Sequence, residues 1–284
     1  IIVPWNFPVN LSMIPIATAL AAGNRVMVKM SENSKNLTKL LMEISPSYFP
    51  ENKLSFIQET GRVGVEFSKL PFNLLVFTGS TDTGKSVMSA AAKNLTPVIL
   101  ELGGKNPAII DKEYSIEKAV QRIIYAKQFN AGQVCLNVDY VFVPEDRVQE
   151  FIDQAIISVK KYVPDINDAD YSSVIDDRSV MRLEETLQDA GEKGARIINL
   201  NDQSINHENR KFPLHLVLNP TDDMAISQRE IFGPILLVRT YKEEEQVINF
   251  VNCHDRPLGL YVFSERKECR DNYINRIMSG GVSV

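Results

Sequence analysis

LLVFTGSTDTGKSVMSAAAKNLTPVILELGG at positions 74–104 carries the pattern that decides the fold. Residues 74–77 form a short apolar run, residues 85–93 are helix-like, and residues 97–100 form a second apolar run. Two short apolar runs joined by a helix are typical of a βαβ unit, whose strands lie parallel in a sheet covered on both faces. The sequence therefore predicts an α/β fold around a buried parallel sheet.

The residues before this unit repeat the same alternation. Apolar runs at 1–3, 26–28 and 54–57 alternate with helix-like segments at 8–22, 36–44 and 64–70. Ligands of such sheets bind beyond the carboxyl ends of the strands. Each of four runs is followed by polar or Gly-rich residues, which begin at Trp5, Lys29, Thr78 and Glu101. We therefore expect a binding site along this edge of the sheet.

The second part of the chain follows the α/β pattern more loosely. Ser115 is positioned to cap a helix with apolar residues at 116, 119, 120, 123 and 124. Further helices are predicted around 148–159 and 180–187, and strands at 140–143, 195–200, 214–218, 235–238 and 260–263, with a polar loop at 201–211. The sequence Gly103-Gly104-Lys105 after the fifth run predicts a boundary between two domains, 1–104 and 105–284.

Composition excludes several classes of protein. Hydrophobic residues make up 44% and charged residues 24%, as in soluble globular proteins rather than disordered or coiled-coil chains. The net charge of -5 argues against a nucleic-acid binder, which usually carries a basic excess. The longest apolar stretch, 11–22, is interrupted by polar residues and Pro15, so neither a membrane span nor a signal peptide is expected.

The cysteines exclude a disulfide scaffold and a metal-binding pattern. Three cysteines at irregular spacing do not form a disulfide framework or a metal-ligand pattern, so no metal is expected. These features favour a cytoplasmic protein. The chain begins with Ile1 rather than Met and stops within a strand-like pattern at Val284, so we expect an internal fragment that is unstable alone.

One motif favours a nucleotide triphosphatase. Residues 79–86, Gly-Ser-Thr-Asp-Thr-Gly-Lys-Ser, fit the P-loop pattern G-x-x-x-x-G-K-[ST] between a predicted strand and a predicted helix. A Gly-rich turn before a helix presents backbone N–H groups to any phosphate, including the pyrophosphate of a dinucleotide. The dinucleotide fingerprint G-x-G-x-x-G is absent. The loop alone therefore leaves both alternatives open.

A second group of residues fits nucleophilic catalysis. Cys135 lies in Asn-Ala-Gly-Gln-Val-Cys at 130–135, between a predicted helix and a predicted strand. A thiol nucleophile needs a base and hydrogen-bond donors for the developing oxyanion. Glu101, at the end of a run predicted to be buried, is a candidate base, and Asn6 is a candidate amide donor. Taken singly, each residue also fits a structural role: a buried small side chain, a solvated strand end and a turn.

Six motifs in order resemble the aldehyde dehydrogenase superfamily. They are Pro-Trp-Asn-Phe-Pro at 4–8, Lys-Met-Ser-Glu at 29–32, Phe-Thr-Gly-Ser-Thr at 77–81, Glu-Leu-Gly-Gly-Lys-Asn-Pro at 101–107, Gly-Gln-Val-Cys at 132–135 and Glu-Ile-Phe-Gly-Pro at 230–234. Asp-Tyr-Val at 139–141 and Ser-Gly-Gly-Val at 279–282 resemble the class-3 branch of that superfamily, and within it the bacterial coniferyl aldehyde dehydrogenases.

The resemblance implies the fold and the chemistry. It implies a Rossmann-type NAD(P)-binding domain at 1–104, without its N-terminal part, followed by an α/β catalytic domain at 105–284, without its C-terminal end. Cys135 matches the nucleophile that forms a thiohemiacetal and then a thioester with the substrate. Asn6 matches the oxyanion-hole amide, and Glu101 matches the base that activates water. The expected reaction is oxidation of an aldehyde, aromatic as in coniferyl aldehyde, to the acid.

The resemblance also implies the cofactor contacts. The implied cofactor is NAD, since a carboxylate at Glu32 repels a 2′-phosphate, and NADP is the alternative because members of the branch with this Glu use both. Lys85 becomes a surface residue. Residues that match cofactor contacts of the family are Trp5, Lys29, Glu32, Gly79, Ser80, Gly84, Glu230 and Phe232.

Assembly and activity form a further set of expectations. The resemblance implies a homodimer or homotetramer for the full-length protein, whose joining strands lie largely outside this chain. Charge and hydropathy give no reason to expect a nucleic-acid or membrane partner. A truncated, inactive homologue is the remaining alternative to an active enzyme.

Overall fold

The computed structural model describes residues 1–58 and 63–284. The chain forms two compact units, Ile1–Gly103 and Gly104–Val284. Within the described residues, no helix is both long enough and apolar enough to cross a membrane. In the same residues, no group of three or more His, Cys, Asp or Glu side chains is arranged to hold a metal ion.

The first unit is built around parallel strands. Its helices are α1 (Pro8–Ala21), α2 (Lys35–Ile44), α3 (Val63–Ser68) and α4 (Thr81–Ala92), and its strands are β1 (Val26–Lys29), β2 (Leu54–Ile57), β3 (Leu75–Gly79) and β4 (Val98–Leu102). β1 pairs with β2 and β3 with β4, both in parallel. Ile2 bridges Lys29 and Phe77, also in parallel, which joins the two pairs. The predicted Rossmann-like parallel arrangement is confirmed.

The segment that resembles a P-loop is not a loop. Helix α4 begins at Thr81, four residues before the predicted start, because the Ser80 side chain caps it by accepting from the Thr83 N–H at 3.4 Å. The Gly84 N–H donates to the Ser80 carbonyl at 2.9 Å, a helical bond. A P-loop needs these residues as an open turn around a phosphate. The structure therefore does not favour the triphosphatase alternative. Lys85 is exposed, as expected.

The second unit contains a seven-stranded sheet. Its strands are β5 (Asn106–Ile110), β6 (Val138–Pro144), β7 (Arg196–Asn199), β8 (His215–Leu218), β9 (Ile235–Tyr241), β10 (Gly259–Phe263) and β11 (Gly281–Ser283). Their order in the sheet is β11-β10-β5-β6-β9-β8-β7, and all pairs are parallel except β7 with β8. The helices are α5 (Ile116–Gln128), α6 (Val148–Tyr162), α7 (Asp177–Glu192), α8 (Ala225–Gln228), α9 (Glu244–Asn252) and α10 (Lys267–Arg276).

Helices cover both faces of this sheet, which explains why its central strands are apolar throughout. Every residue of β5 and β6 is buried. Along β6, Tyr140 and Phe142 belong to one hydrophobic cluster, while Val141 and Val143 belong to another that includes residues of α5 and α6. Successive side chains of a strand point to opposite faces, so a strand buried on both sides lacks the polar alternation of a half-exposed one.

The sequence patterns located most elements of the second unit and missed four. Ser115 caps α5 as predicted and accepts from the Lys118 N–H at 3.3 Å. β5, α8, α9 and α10 were not predicted. β5 opens with Asn106-Pro107, and α10 buries only Cys269 and Tyr273, so neither shows a long apolar pattern.

Candidate active site

In the first unit the predicted site residues gather at one edge of the sheet. The strands of this unit run parallel, so their carboxyl ends lie side by side. Trp5 and Asn6 follow the bridge residue Ile2, and both are partly buried in a bend before α1. The other predicted residues of this unit follow or end the neighbouring strands: Lys29, Glu32, Gly79, Ser80 and Glu101.

Lys29 and Glu32 form an ion pair. The Lys29 Nζ lies 3.9 Å from the Glu32 Oε2, and the side chains are 8% and 62% exposed. Ser31 stabilises the short turn between them by accepting from the Asn33 N–H at 3.3 Å. The lysine is therefore fixed by burial, while the carboxylate extends into solvent.

Two glycines near the junction between β3 and α4 lie so close to neighbouring side chains that a Cβ would clash. A Cβ on Gly79 would lie 2.6 Å from the Phe77 ring, and one on Gly84 would lie 2.6 Å from the Leu102 Cδ2. Gly84 thus lets α4 pack closely on β4. The first turn of α4 follows Ser80 and carries the positive end of the helix dipole.

The prediction that Glu101 ends a buried strand is wrong. It is the fourth of five residues of β4, opposite Thr78 of β3, and it is exposed. The residues of β4 alternate between partly buried and exposed. The apolar run 97–100 indicated a strand buried on both faces, but only one face of β4 packs inward.

In the second unit Cys135 lies on a turn between α5 and β6. The preceding residues Phe129–Gly132 form a tight turn with left-handed backbone angles, φ 51° at Asn130, 51° at Ala131 and 73° at Gly132. A Cβ on Gly132 would lie 2.3 Å from the Gly233 carbonyl oxygen. Only glycine fits there, because the Cys135 turn packs directly against the backbone of the 230–234 motif.

The 230–234 motif is fixed by buried charges. The Asp139 carboxylate, 3% exposed, accepts from the Ile231 N–H at 2.9 Å. Arg182 donates to the Ile231 carbonyl at 2.8 Å and to the Phe232 carbonyl at 3.3 Å. Phe232 has a left-handed φ of 46°, unusual for a residue with a side chain. Asp139 and Arg182 therefore hold the backbone of this motif at Ile231 and Phe232.

The sequence profile of the aldehyde dehydrogenase family matches residues 1–284. The chain belongs to the aldehyde dehydrogenase family. A probable coniferyl aldehyde dehydrogenase of Pseudomonas aeruginosa is 46% identical over 285 residues, covering 100% of this chain and 59% of that protein. Aldehyde dehydrogenase family 3 member A2 of Mus musculus is 36% identical, with 100% and 57% covered. These similarities confirm the resemblance to the class-3 branch.

A solved aldehyde dehydrogenase confirms the fold. A point mutant of Staphylococcus aureus betaine aldehyde dehydrogenase, in complex with NAD+ and with a BME-modified cysteine, superposes with a TM-score of 0.89. It is 31% identical, and the match covers 99% of this chain and 58% of that one. This chain thus spans about three-fifths of the length of the relatives it matches.

Buried charges surround the 230–234 motif of this family member. Lys105 pairs with Asp139 and also donates to the Ile226 carbonyl at 3.0 Å. Burial and the Asp139 charge raise the pKa of Glu230 to about 7, against the lowering effects of the Gly104 N–H, Lys127 and Lys105. Lys127 is 1% exposed, and its ammonium group donates to the Val138 carbonyl at 2.8 Å. Burial lowers the pKa of Lys127 to about 8, although Asp139 and Glu230 oppose that shift.

Sequence reasoning missed this charged cluster. One signal was present for Lys127, because it follows Ile123 and Ile124 at helical spacing and therefore falls on the apolar face of α5. A lysine on an apolar stripe is rarely fully buried unless it is paired. The roles of Lys105, Asp139 and Arg182 had no comparable signal, since their partners come from distant parts of the chain.

Proposed function

We propose that the natural full-length protein oxidises an aldehyde to the carboxylic acid with a nicotinamide cofactor, using Cys135 as the nucleophile. The packing of Gly132 on Gly233 carries the proposal: it joins the Cys135 turn to the 230–234 motif, about 100 residues away in sequence. Two motifs of the aldehyde dehydrogenase family therefore form one structure. Cys135 is partly buried at that junction.

Cys135 and Asn6 act in the first step. The Cys135 thiolate attacks the aldehyde carbon and forms a thiohemiacetal, and the oxygen becomes negatively charged. The Asn6 amide and the Cys135 backbone N–H donate to this oxygen. The oxyanion then collapses as hydride leaves the carbon, which gives a thioester on Cys135. A nicotinamide cofactor, when bound, accepts the hydride.

Glu101 acts in the second step. Its carboxylate removes a proton from a water molecule, which attacks the thioester carbonyl. The C–S bond breaks, the acid leaves, and the Cys135 thiolate is regenerated. Water must attack after hydride departure, because only oxidation creates the thioester carbonyl. Exposure of Glu101 supports this role, since a base for hydrolysis needs access to water.

The first unit has features that suit a dinucleotide. The first turn of α4, after Gly79 and Ser80, suits a pyrophosphate. An apolar groove of about 390 Å³ suits a flat base such as adenine, and it is lined by Met27, Ile57, Val63, Glu66, Phe67 and Leu70. These features support binding of NAD or NADP.

The remaining contacts decide between the cofactors. Lys29 and Glu32 would bind the adenosine ribose hydroxyls, and the exposed Glu32 carboxylate disfavours a 2′-phosphate. We therefore propose NAD as the preferred cofactor. Glu230 would bind the nicotinamide ribose, with Phe232 packed beside the ring and Trp5 on the same cofactor. Gly84 supports this site through the close packing of α4 on β4.

The substrate and the setting are also proposals. The name of the Pseudomonas aeruginosa relative supports an aromatic aldehyde such as coniferyl aldehyde. All three cysteines are free thiols, which supports a reducing compartment such as the cytoplasm. We propose a homodimer or homotetramer for the full-length protein, by similarity to the family.

Reduction of the cofactor by the full-length protein tests the proposal. Coniferyl aldehyde, benzaldehyde and acetaldehyde would each be supplied with NAD+ or NADP+, and Cys135→Ala would serve as the inactive control. We expect the fastest cofactor reduction with an aromatic aldehyde and NAD+. Cofactor reduction by Cys135→Ala at the wild-type rate, or none with any aldehyde by the wild type, would contradict the proposal.

A further inference from the structure

Two side chains hold three successive carbonyl groups of the Cys135 turn, those of Cys135, Leu136 and Asn137. The Asn106 Nδ2 donates to the Cys135 carbonyl at 2.7 Å and to the Asn137 carbonyl at 2.9 Å. The Tyr261 hydroxyl donates to the carbonyl of Leu136, the residue between them. Asn106 is the first residue of β5. Tyr261 lies on the neighbouring strand β10, opposite Ala108 of β5.

The orientation of the Asn106 amide is fixed from both ends. The side chain is completely buried, and its Oδ1 accepts from the Gly259 N–H at 2.8 Å. The carbonyl end therefore faces β10, and both amide hydrogens face the turn. A flipped amide would break all three hydrogen bonds to the backbone. This orientation is therefore strongly favoured, because leaving a buried hydrogen-bonding group unpaired costs about 1–3 kcal/mol.

Gly259 makes room for the second side chain. A Cβ at this position would lie 2.9 Å from the Tyr261 hydroxyl, closer than side chains normally approach. The same glycine supplies the N–H that orients Asn106. One residue of β10 thus supports both partners of the turn.

The residue after Cys135 contributes little hydrophobic packing to the turn. Leu136, the residue after the nucleophile, has a side chain that is 50% exposed. Hydrogen bonds from Asn106 and Tyr261 therefore set the directions of the peptide groups that follow Cys135. Those directions also determine where the Cys135 backbone, and with it the thiol, points.

We propose that Asn106 and Tyr261 are positioning residues that orient the Cys135 thiol for attack. The proposal rests on the function proposed above and extends it to residues that touch the nucleophile only through its backbone. Displacing a reacting group by about 1 Å can cost about 100-fold in rate. Loss of either side chain should therefore reduce the reactivity of the thiol more than the affinity for cofactor or aldehyde.

Two variants of the full-length protein test the proposal. Tyr261→Phe removes one hydroxyl from a partly buried side chain and should leave folding intact. We expect alkylation of Cys135 by iodoacetamide and kcat both to fall about 10-fold, while KM for aldehyde and cofactor changes less than about twofold. Asn106→Asp keeps the shape of the side chain but places a carboxylate against two carbonyl oxygens.

Asn106→Asp also gives a pH signature. Only the protonated acid donates a hydrogen bond to a carbonyl. The alkylation rate of Asn106→Asp, divided by that of the wild type at each pH, should therefore fall as pH rises. Ionisation of a buried Asp also lowers stability as pH rises, so the ratio is taken only at pH values where urea unfolding shows the variant to be fully folded.

The chain offers a matched control for each variant. The Tyr241 hydroxyl donates to the Ile110 carbonyl at 2.7 Å, away from the turn. Asn201 donates to the Val163 carbonyl and accepts from the Leu214 N–H, both at 2.9 Å. Tyr241→Phe and Asn201→Asp should leave the alkylation rate of Cys135 unchanged.

The outcomes separate this proposal from the proposed function. Wild-type alkylation rates and kcat in a folded Tyr261→Phe would overturn the positioning role, as would equal losses in the control variants. If Asn106→Asp does not fold, Tyr261→Phe alone decides. If the wild type oxidises no aldehyde, the proposed function fails, yet the alkylation rates still decide whether Asn106 and Tyr261 orient the thiol.

Discussion

In Ile1–Gly103 two proposed site carboxylates, Glu32 and Glu101, are exposed at or near strand ends, whereas in Gly104–Val284 the Cys135 turn is held by buried polar side chains. Glu101 is exposed, and the Glu32 side chain is 62% exposed. Asn106 and Asp139, which fix the Cys135 turn and the 230–234 motif, are 0% and 3% exposed. The two units thus place their functional groups by different means.

The difference predicts how each unit responds to substitution. A change at an exposed strand end alters chemistry or cofactor choice and leaves stability nearly unaffected. A change in the buried network alters stability as well, because each buried polar group satisfies another. Four substitutions test this contrast, and they are ordered from the largest expected effect to the smallest.

Cys135→Ala should abolish turnover. Removing the nucleophile of a covalent mechanism should lower kcat by at least about 10⁴-fold, and steady-state cofactor reduction measures the loss. Cys253→Ala is the control, since Cys253 is an exposed thiol elsewhere in the same unit. If both variants lost activity equally, Cys135 would have no special role.

Glu101→Gln should slow the second step and spare the first. We expect a pre-steady-state burst of reduced cofactor, followed by turnover about 10²–10⁴-fold below that of the wild type. The unfolding midpoint should stay at the wild-type value because the side chain is exposed. Loss of the burst would mean that Glu101 also activates the thiol.

Glu230→Gln should change how stability depends on pH. The folded protein raises the pKa of Glu230 from 4.5 to about 7, so it binds a proton that the unfolded chain has released between these values. The contribution of Glu230 to stability should therefore fall in the wild type as pH rises from 4.5 to 7. The variant should avoid this loss and be more stable at pH 8 by on the order of 2–3 kcal/mol.

Urea unfolding of the cofactor-free protein across this pH range measures the effect of Glu230→Gln. The quantity of interest is the difference in unfolding free energy between variant and wild type at each pH. A difference that stays constant from acid to neutral pH would show that Glu230 is not perturbed by its buried surroundings.

Glu32→Gln should shift cofactor preference toward NADP. Neutralising the carboxylate removes its repulsion of a 2′-phosphate, a contact worth about 1–3 kcal/mol or roughly tenfold to a hundredfold in the ratio of kcat/KM values. Stability should not change, because Glu32 is exposed. An unchanged NAD-to-NADP ratio would show that Glu32 does not contact the ribose.

Local patterns predicted the parallel sheet well, because apolar runs and helix caps act over a few residues. Ser115 and the apolar stripe of α5 are examples. The first residues of helices were less predictable. The helix capped by Ser80 begins at Thr81, four residues before its predicted start within the P-loop pattern at 79–86. β5 was missed because Asn106 and Pro107 interrupt its apolar pattern.

The proposed site was predictable only where one motif carries one role. Cys135, Glu101 and Asn6 were singled out from their own motifs, by their chemistry and by resemblance. The supporting residues depend on sheet order, which places β10, β5 and β6 side by side and so brings Asn106 and Tyr261 to the Cys135 turn. That order is set by long-range packing, and no local pattern in the sequence reports it.

Trapping the acyl-enzyme tests most directly whether Cys135 is the nucleophile of aldehyde oxidation. Full-length Glu101→Gln would be mixed with benzaldehyde and NAD+, quenched in acid after one turnover and analysed by peptide mass mapping. We expect the benzoyl group as a thioester on the peptide that contains Cys135, in proportion to the cofactor reduced. Reduced cofactor without acylation of Cys135, or acylation of Cys253 or Cys269 instead, would contradict the account.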